Sequence, residues 1–242
     1  MESDRLMDSD KSMSNDRLMG SDKLVDSDRL MSNDKMMASD KPTENDTLIK
    51  SEHPYKVAEV IRSRRTIRQF KAEPVSQELV LELLNVANWA PNHGRREPWR
   101  YIQYKGEARA QFAEAVIGSF TAEEKIKYAE HRLKYYMEIP IHLIIVMKED
   151  PRQKQWDEDF GAVCCWIQTF QLAAWERGLG VVWKTNTYIY APAFREAVGV
   201  EAGEKIVGVL HVGYPEIIPG AQPRTAAENR LIVHDSSMQE VE

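Results

Sequence analysis

Residues 160–178 read FGAVCCWIQTFQLAAWERG, enough for about five helical turns and apolar on nearly every side. A helix with no polar face has to be covered all round, by a core or by another subunit. We predict this helix over residues 157–177, with Gly178 supplying the residue that ends it. The rest of the chain must supply the covering layers. WRYIQY after Pro98 alternates and uses β-favouring residues, so it is predicted to be a strand. IHLIIVMKE after Pro140 reads as a buried strand, VVWKTNTY as a strand running into a loop, and EKIVGVLHVGYPE as a last strand closed by Gly213 and Pro215.

Five further stretches have helical signals. SEHPYKVAEVIRSRR is capped by Ser51 or Glu52 ahead of Pro54, with Val57, Val60 and Ile61 as its apolar stripe. In QELVLELLNVANWA, Ser76 is the expected N-cap, and Leu79, Leu83, Val86 and Trp89 or Ala90 share a face. GEARAQFAEAVIGSF, TAEEKIKYAEHRLKYYME and APAFREAVGV complete the set. Helices alternating with four or five strands fit one domain over residues 51–242, ending in a polar, extended C-terminal segment.

Residues 2–49 stand apart. They repeat with a period of six, and aspartate holds the third place in all eight units: Asp4, Asp10, Asp16, Asp22, Asp28, Asp34, Asp40 and Asp46. A period of six fits neither the 3.6 of a helix nor a heptad, so the Leu/Met pairs would precess around a helix. A left-handed β-helix needs small apolar residues at fixed inward places and more coils than these. Half of each unit is Ser, Asn or Asp plus a charge, which buries too little to offset ordering entropy. Residues 1–50 are therefore expected to be a disordered or transiently helical tail, or an arm for a partner that nothing in the sequence identifies.

The net charge of −6 argues against a nucleic-acid binder, which needs a basic face. Only Cys164 and Cys165 are present. Being adjacent, they make no disulfide framework, and a reducing cytoplasm is the expected compartment. Mid-helix among aromatic residues, they read as packing rather than as a redox pair. No apolar run spans a bilayer, the N-terminus has no secretory h-region, and no Cys/His spacing suggests a metal. His142 and His211 fall in apolar strands and read as core or interface residues.

Two clusters remain. Arg62, Arg64, Arg65 and Arg68 surround Thr66 in RSRRTIRQF. A basic helix end would explain them through the macrodipole, yet guanidinium is also the group best shaped for bidentate phosphate recognition. Some twenty residues later comes NWAPNHGRREPW, a polar turn leading into an aromatic run. Together they suit an anionic, flat, aromatic ligand.

RRTIRQF, WAPNHGRREPWRY, RGLGVVWKT and IVGVLHVGYPE, in that order, resemble the FMN-dependent nitroreductase family. Its pattern has Arg-Arg-Ser-x-Arg-x-Phe near the start and a Pro-Trp before the first central strand. Ala90-Pro91-Asn92-His93 resembles the Ala-Pro-Asp-His of its compact single-domain branch. The resemblance covers residues 55–215 and leaves the repeats outside. It implies an α+β fold, a mostly antiparallel central sheet flanked by helices, with FMN at a homodimer interface. By this resemblance Arg64, Arg65, Thr66 and Arg68 would hold the phosphate and ribityl chain, and Trp89 and His93 would border the ribityl and ring. Trp183, Lys184 and Thr185 would approach from the other side, probing across a subunit boundary, with Lys184 stabilising the reduced flavin's negative charge. Arg224 and Arg230 resemble terminal basic residues that bind phosphate in many members.

The implied activity is a ping-pong hydride transfer from NAD(P)H to a nitroaromatic, quinone or similar electron-poor small molecule. Dehalogenation on the same scaffold, or a flavin-binding protein without nicotinamide turnover, are the alternatives. Thr66 replaces the family's serine, Arg95 its loop asparagine and Glu97 its glutamine. An Arg95–Arg96 pair at the rim would favour an acidic substrate or the 2′-phosphate of NADPH.

Overall fold

The computed structural model describes residues 56–235. The hexapeptide repeats, the expected cap at Ser51 or Glu52 and residues 236–242 lie outside the described residues. Strand β2 (Ile141–Lys148) is buried at every residue but its last, which its unbroken apolar sequence demands. It pairs antiparallel with β1 (Trp99–Lys105) on one side and β4 (Glu204–Gly213) on the other. Strand β3 (Gly180–Lys184) adds antiparallel to β4, giving the order β1-β2-β4-β3. Four strands, not five, form this sheet among the described residues.

Helices cover both faces. On one, α2 (Gln77–Ala87) and α5 (Gln153–Glu176) bury Leu83, Leu84, Trp166 and Phe170 against Leu143, Ile145, Val181 and Leu210. On the other, α3 (Arg109–Gly118), α4 (Ala122–Met137) and α6 (Pro192–Ala197) bring Phe112, Tyr136 and Phe194 onto Ile144, Val146 and Val209. Thr121 and Glu124 form the reciprocal capping box that starts α4. Each of these buried aromatic side chains contributes about 1.5–3 kcal/mol or more.

Three local expectations shift. Helix α5 begins at Gln153, four residues early, because Pro151 marks its start and Trp156 stacks on Phe160 one turn on. Its buried stripe is Asp159, Ala162, Val163, Trp166, Ile167, Phe170, Gln171 and Ala174, while Gly161, Cys165 and Gln168 face outward uncovered within this chain. Helix α1 (Lys56–Ser63) buries nothing, and its intended stripe lies open at Val57 and Ile61. Helix α2 ends at Ala87 with Asn88 as its cap, so the chain turns and Ala90 enters the core while Val86 and Trp89 stay out.

Candidate active site

Past α1 the chain extends along β3. Thr66 bridges Val181 in parallel, and the Ile67 amide donates to the Val181 carbonyl at 3.2 Å. Gly180 permits this approach: a Cβ there would sit 2.4 Å from Ile67 Cγ1. The fully buried Ile67 thus pins a segment whose neighbours Arg64, Arg65, Thr66 and Arg68 point elsewhere.

The four do different things. Arg65 Nη1 donates to the carbonyls of Arg62, Ser63 and Arg64 at 2.8, 2.9 and 3.0 Å, so it caps the end of α1. The helix-end explanation is right for this residue. Arg64 is different: its Nη1 is buried without any hydrogen-bond partner. Burial, then the charges of Arg65 and Arg224, lower its pKa. The Arg224 charge, on the C-terminal segment, thus bears on Arg64, while Arg224 Nη1 donates to the Gln222 and Pro223 carbonyls at 3.0 and 3.2 Å; Arg230 lies exposed further along. A buried guanidinium donor without a partner, with further positive charge acting on it, fits a phosphate.

Farther along, Arg68 lies within reach of Lys184 and Tyr135. Burial lowers the Lys184 pKa, helped by Arg68 and Arg132. Arg132, on α4, joins this group without having stood out in the sequence, where it is one charge among many in EHRLKYY. Tyr136 is pushed up to about 12 and Tyr188 well above its usual value, both by burial first. The Tyr188 hydroxyl, more than nine-tenths buried, has no partner; Tyr136 is its near neighbour but outside hydrogen-bond geometry. Three cations and an unmet phenol thus share one face of the sheet. Behind them His142 and His211 meet Nδ1 to Nδ1 at 2.9 Å, and His142 Nε2 donates to the Tyr136 carbonyl. Burial holds His142 at about 3 and His211 well below its usual value, so both rings are neutral.

Alternation along β3 separates Trp183 from Lys184. Trp183 faces the α2/α5 layer, where it lies over Gly208 and donates to the Val207 carbonyl at 3.2 Å. Lys184 points to the opposite face, and Thr185 is exposed beyond the strand. The two side chains cannot reach one ligand from the same surface.

The second cluster sits elsewhere. Asn88 Oδ1 accepts from Trp99 Nε1 at 3.1 Å, Trp166 Nε1 at 3.0 Å and the Tyr101 hydroxyl at 2.5 Å. No sequence pattern singles out this residue, which caps α2 and fixes where the loop departs. Trp89 follows it, 90% exposed, and His93 is exposed in a short 3₁₀ turn (His93–Arg95). Arg95 and Glu97 adopt left-handed φ values of 53° and 46°, each costing on the order of 1–3 kcal/mol. Arg96 is not a free rim cation. Its Nε and Nη2 grip the Asp159 carboxylate at 3.1 and 3.0 Å, which leaves Arg95 alone of the expected pair.

The loop leads into β1 and the arginines run beside β3, the two edges of the sheet. Three strand spacings put those edges roughly 14 Å apart, and Thr66 is one spacing farther. The Arg224 charge bears on Arg64, and the Arg68 charge on Lys184. The structure does not bring Trp89 or His93 to either. No group of His, Cys, Asp or Glu among the described residues could hold a metal.

Residues 61–214 match the model of the nitroreductase family. The chain belongs to that family. The YfhC protein of Bacillus subtilis is 35% identical over 177 residues, which is 72% of this chain and 91% of that one. A solved nitroreductase-like family protein from Bacillus cereus is 42% identical, covers 77% of this chain and 100% of its own, and superposes with a TM-score of 0.73. The FMN-dependent nitroreductase NfnB from Mycobacterium smegmatis, solved in complex with NADPH, shares the fold at 18% identity, with a TM-score of 0.58 over 74% of this chain and 99% of that one. The nitroreductase-like α+β sheet expected from the sequence is the one observed. No helix among the described residues is long and apolar enough to cross a membrane.

Proposed function

We propose that this nitroreductase is an FMN-dependent NAD(P)H oxidoreductase that reduces nitroaromatics, quinones and similar electron-poor small molecules. The observation that carries the reading is the buried, unpartnered Nη1 of Arg64, with the Arg65 and Arg224 charges acting on it. A buried guanidinium donor with no protein partner suits the FMN phosphate. When bound, FMN would supply the redox chemistry, hydride transfer between NAD(P)H and an electron-poor acceptor.

The protein's part is binding, charge and orientation. Arg64, Arg224 and Thr66 would hold the phosphate end. Arg65 acts one step back, neutralising the last carbonyls of α1 so that Arg64 leaves the helix at a fixed angle. Arg68, Arg132 and Lys184 would present positive charge to the polar edge of the ring, and the unmet Tyr188 hydroxyl a hydrogen bond. Trp183 and Thr185 are assigned to the wall beside the ring, Trp183 through the backbone it braces.

Trp89 and His93 enter only if a second copy supplies them. A sheet width lies between loop and arginines within one chain, so a flavin touched by both sits between two copies. Three open surfaces support a homodimer: Val57 and Ile61 of α1, Trp89, and the outer side of α5 at Gly161 and Cys165. A C2 dimer would give two such sites.

Anaerobic titration of FMN-loaded protein with NADPH, followed by an acceptor panel, tests the activity. Bleaching and reoxidation by nitrofurazone or menadione are expected; a yellow protein that NADPH does not bleach is a binding protein instead. For the shared site, an Arg64→Ala chain is mixed with a Trp89→Ala/His93→Ala chain after reversible dissociation. Exchanged dimers should regain about a quarter of the wild-type sites, since half the dimers are mixed and each has one intact site. No recovery from two inactive parents would overturn the shared arrangement.

A further inference from the structure

We infer that Asp159 and Arg96 form a positioning pair that holds the loop of residues 92–97 in its bound-ready shape. The inference rests on the proposed role of that loop at the flavin. Among the described residues Asp159 is the one buried carboxylate, 2% exposed and about a turn and a half before the apolar middle of α5. Nothing in the packing of α5 calls for a charge there. Its oxygens receive Arg96 Nε and Nη2 side by side, at 3.1 and 3.0 Å, and Gln155 Nε2 adds a third bond at 3.1 Å. Asp150 stands behind, 3.4 Å from Arg96 Nη2, and is itself gripped by Arg152.

Arg96 is the one residue of the turn whose side chain bonds to the buried Asp159, although that side chain itself stays partly in solvent. It lies between Arg95 and Glu97, the two non-glycine residues with positive φ, and its own backbone is helical. The only other side-chain tie across the turn is Asn92 Oδ1, which accepts from the Glu97 amide at 3.0 Å. Two unfavourable backbone conformations on either side of an anchored residue persist when the anchor outweighs them. A bidentate guanidinium–carboxylate pair with a buried carboxylate is such an anchor, because removing Arg96 strands the Asp159 charge and removing Asp159 takes away the fork's partner. With the pair broken, the turn is free to relax, and His93 and Arg95 lose their fixed positions.

The test uses the full-length chain in three forms: Asp159→Asn, Arg96→Ala, and the two together. FMN dissociation constants come from fluorescence quenching, and loop opening from brief trypsin digestion read by mass spectrometry at the bond after Arg95. Each single variant should weaken FMN by at least tenfold and admit cleavage at Arg95, while circular dichroism still shows a folded protein. The double variant should be no worse than the worse single one, as expected for one coupled unit. Arg96→Lys, which keeps the charge but not the fork, should fall between. Wild-type FMN affinity together with an uncut loop in the single variants would overturn the pair's role. Should the wild type itself bind no FMN, the flavin reading fails separately, and cleavage at Arg95 in variants but not wild type still decides whether the pair holds the turn.

Discussion

Arg64→Met should move stability and binding in opposite directions. In the free protein, a buried donor left without a partner costs about 1–3 kcal/mol. Arg64 is only partly buried, so solvent reaches the rest of its guanidinium and the lower end, about 1 kcal/mol, is the reasonable figure. Arg65 and Arg224 add a screened repulsion. Methionine keeps the apolar stem and removes both the unmet donor and the charge. The apo variant should therefore be more stable by roughly 1 kcal/mol. Binding loses at least one charge-assisted hydrogen bond, about 1.5–3 kcal/mol, which is roughly a 10- to 150-fold weaker FMN complex. Urea unfolding of both apoproteins at one protein concentration, followed by FMN titration, measures the two effects. Saturating FMN stabilises whichever protein binds it more tightly, so the order of stabilities should reverse on adding the cofactor. An apo variant less stable than wild type, or an FMN affinity changed less than about threefold, would refute the assignment of Arg64 to the phosphate.

Other positions yield expectations of the same kind. Gly208→Ala puts a Cβ 1.9 Å from Trp183 Nε1, so Trp183 must leave its place over β4; overpacking of about 1–3 kcal/mol is expected by urea unfolding, and Trp183→Val in the same chain should recover most of it. Arg132→Gln should lower the midpoint potential of bound FMN by tens of millivolts, about 30 mV for each 1.4 kcal/mol of lost charge stabilisation, and an unchanged potential would place Arg132 away from the ring. His142 and His211 are neutral when folded, His142 titrating only at about 3. The unfolded chain binds those protons near pH 6.5, so stability is intact above that pH and falls as pH drops toward 3, by up to about 1.4 kcal/mol per unit for each ring. Urea midpoints that do not change between pH 7 and 5 would contradict the buried pair.

The sequence was most informative where one requirement acted alone. An unbroken apolar run gave β2, and Ser76 gave the start of α2, since its side chain does accept the Leu79 amide. It was least informative where a residue's role depends on what lies across from it. RSRRTIRQF reads as one basic cluster, but in the fold Arg65 bonds to the last carbonyls of α1 while the Nη1 of Arg64 is buried without a partner, under the charge of Arg224, which lies 160 positions later in the chain. Arg95 and Arg96 read as a pair of rim charges, yet Arg96 meets a carboxylate from α5 that no local pattern foretells. Arg132 and Asn88 acquire meaning only through α4 and α5 packing, so periodicity could not single them out.

The same logic explains the exposed apolar residues. Val57, Ile61, Val86 and Trp89 follow helical spacing as a core face would, so the pattern correctly detects burial but cannot say in which molecule. Strand alternation adds a constraint the motifs lack: Trp183 and Lys184 are adjacent in WKT but face opposite layers. With loop and arginines on opposite sheet edges, motifs that look like one site in the chain become two half-sites in the fold. Under the proposed twofold arrangement a pair of half-sites would make two whole ones, and the contact would bury helical faces that one chain leaves open. The open faces and the divided site thus have one remedy, which is why the dimer and the flavin position stand or fall together.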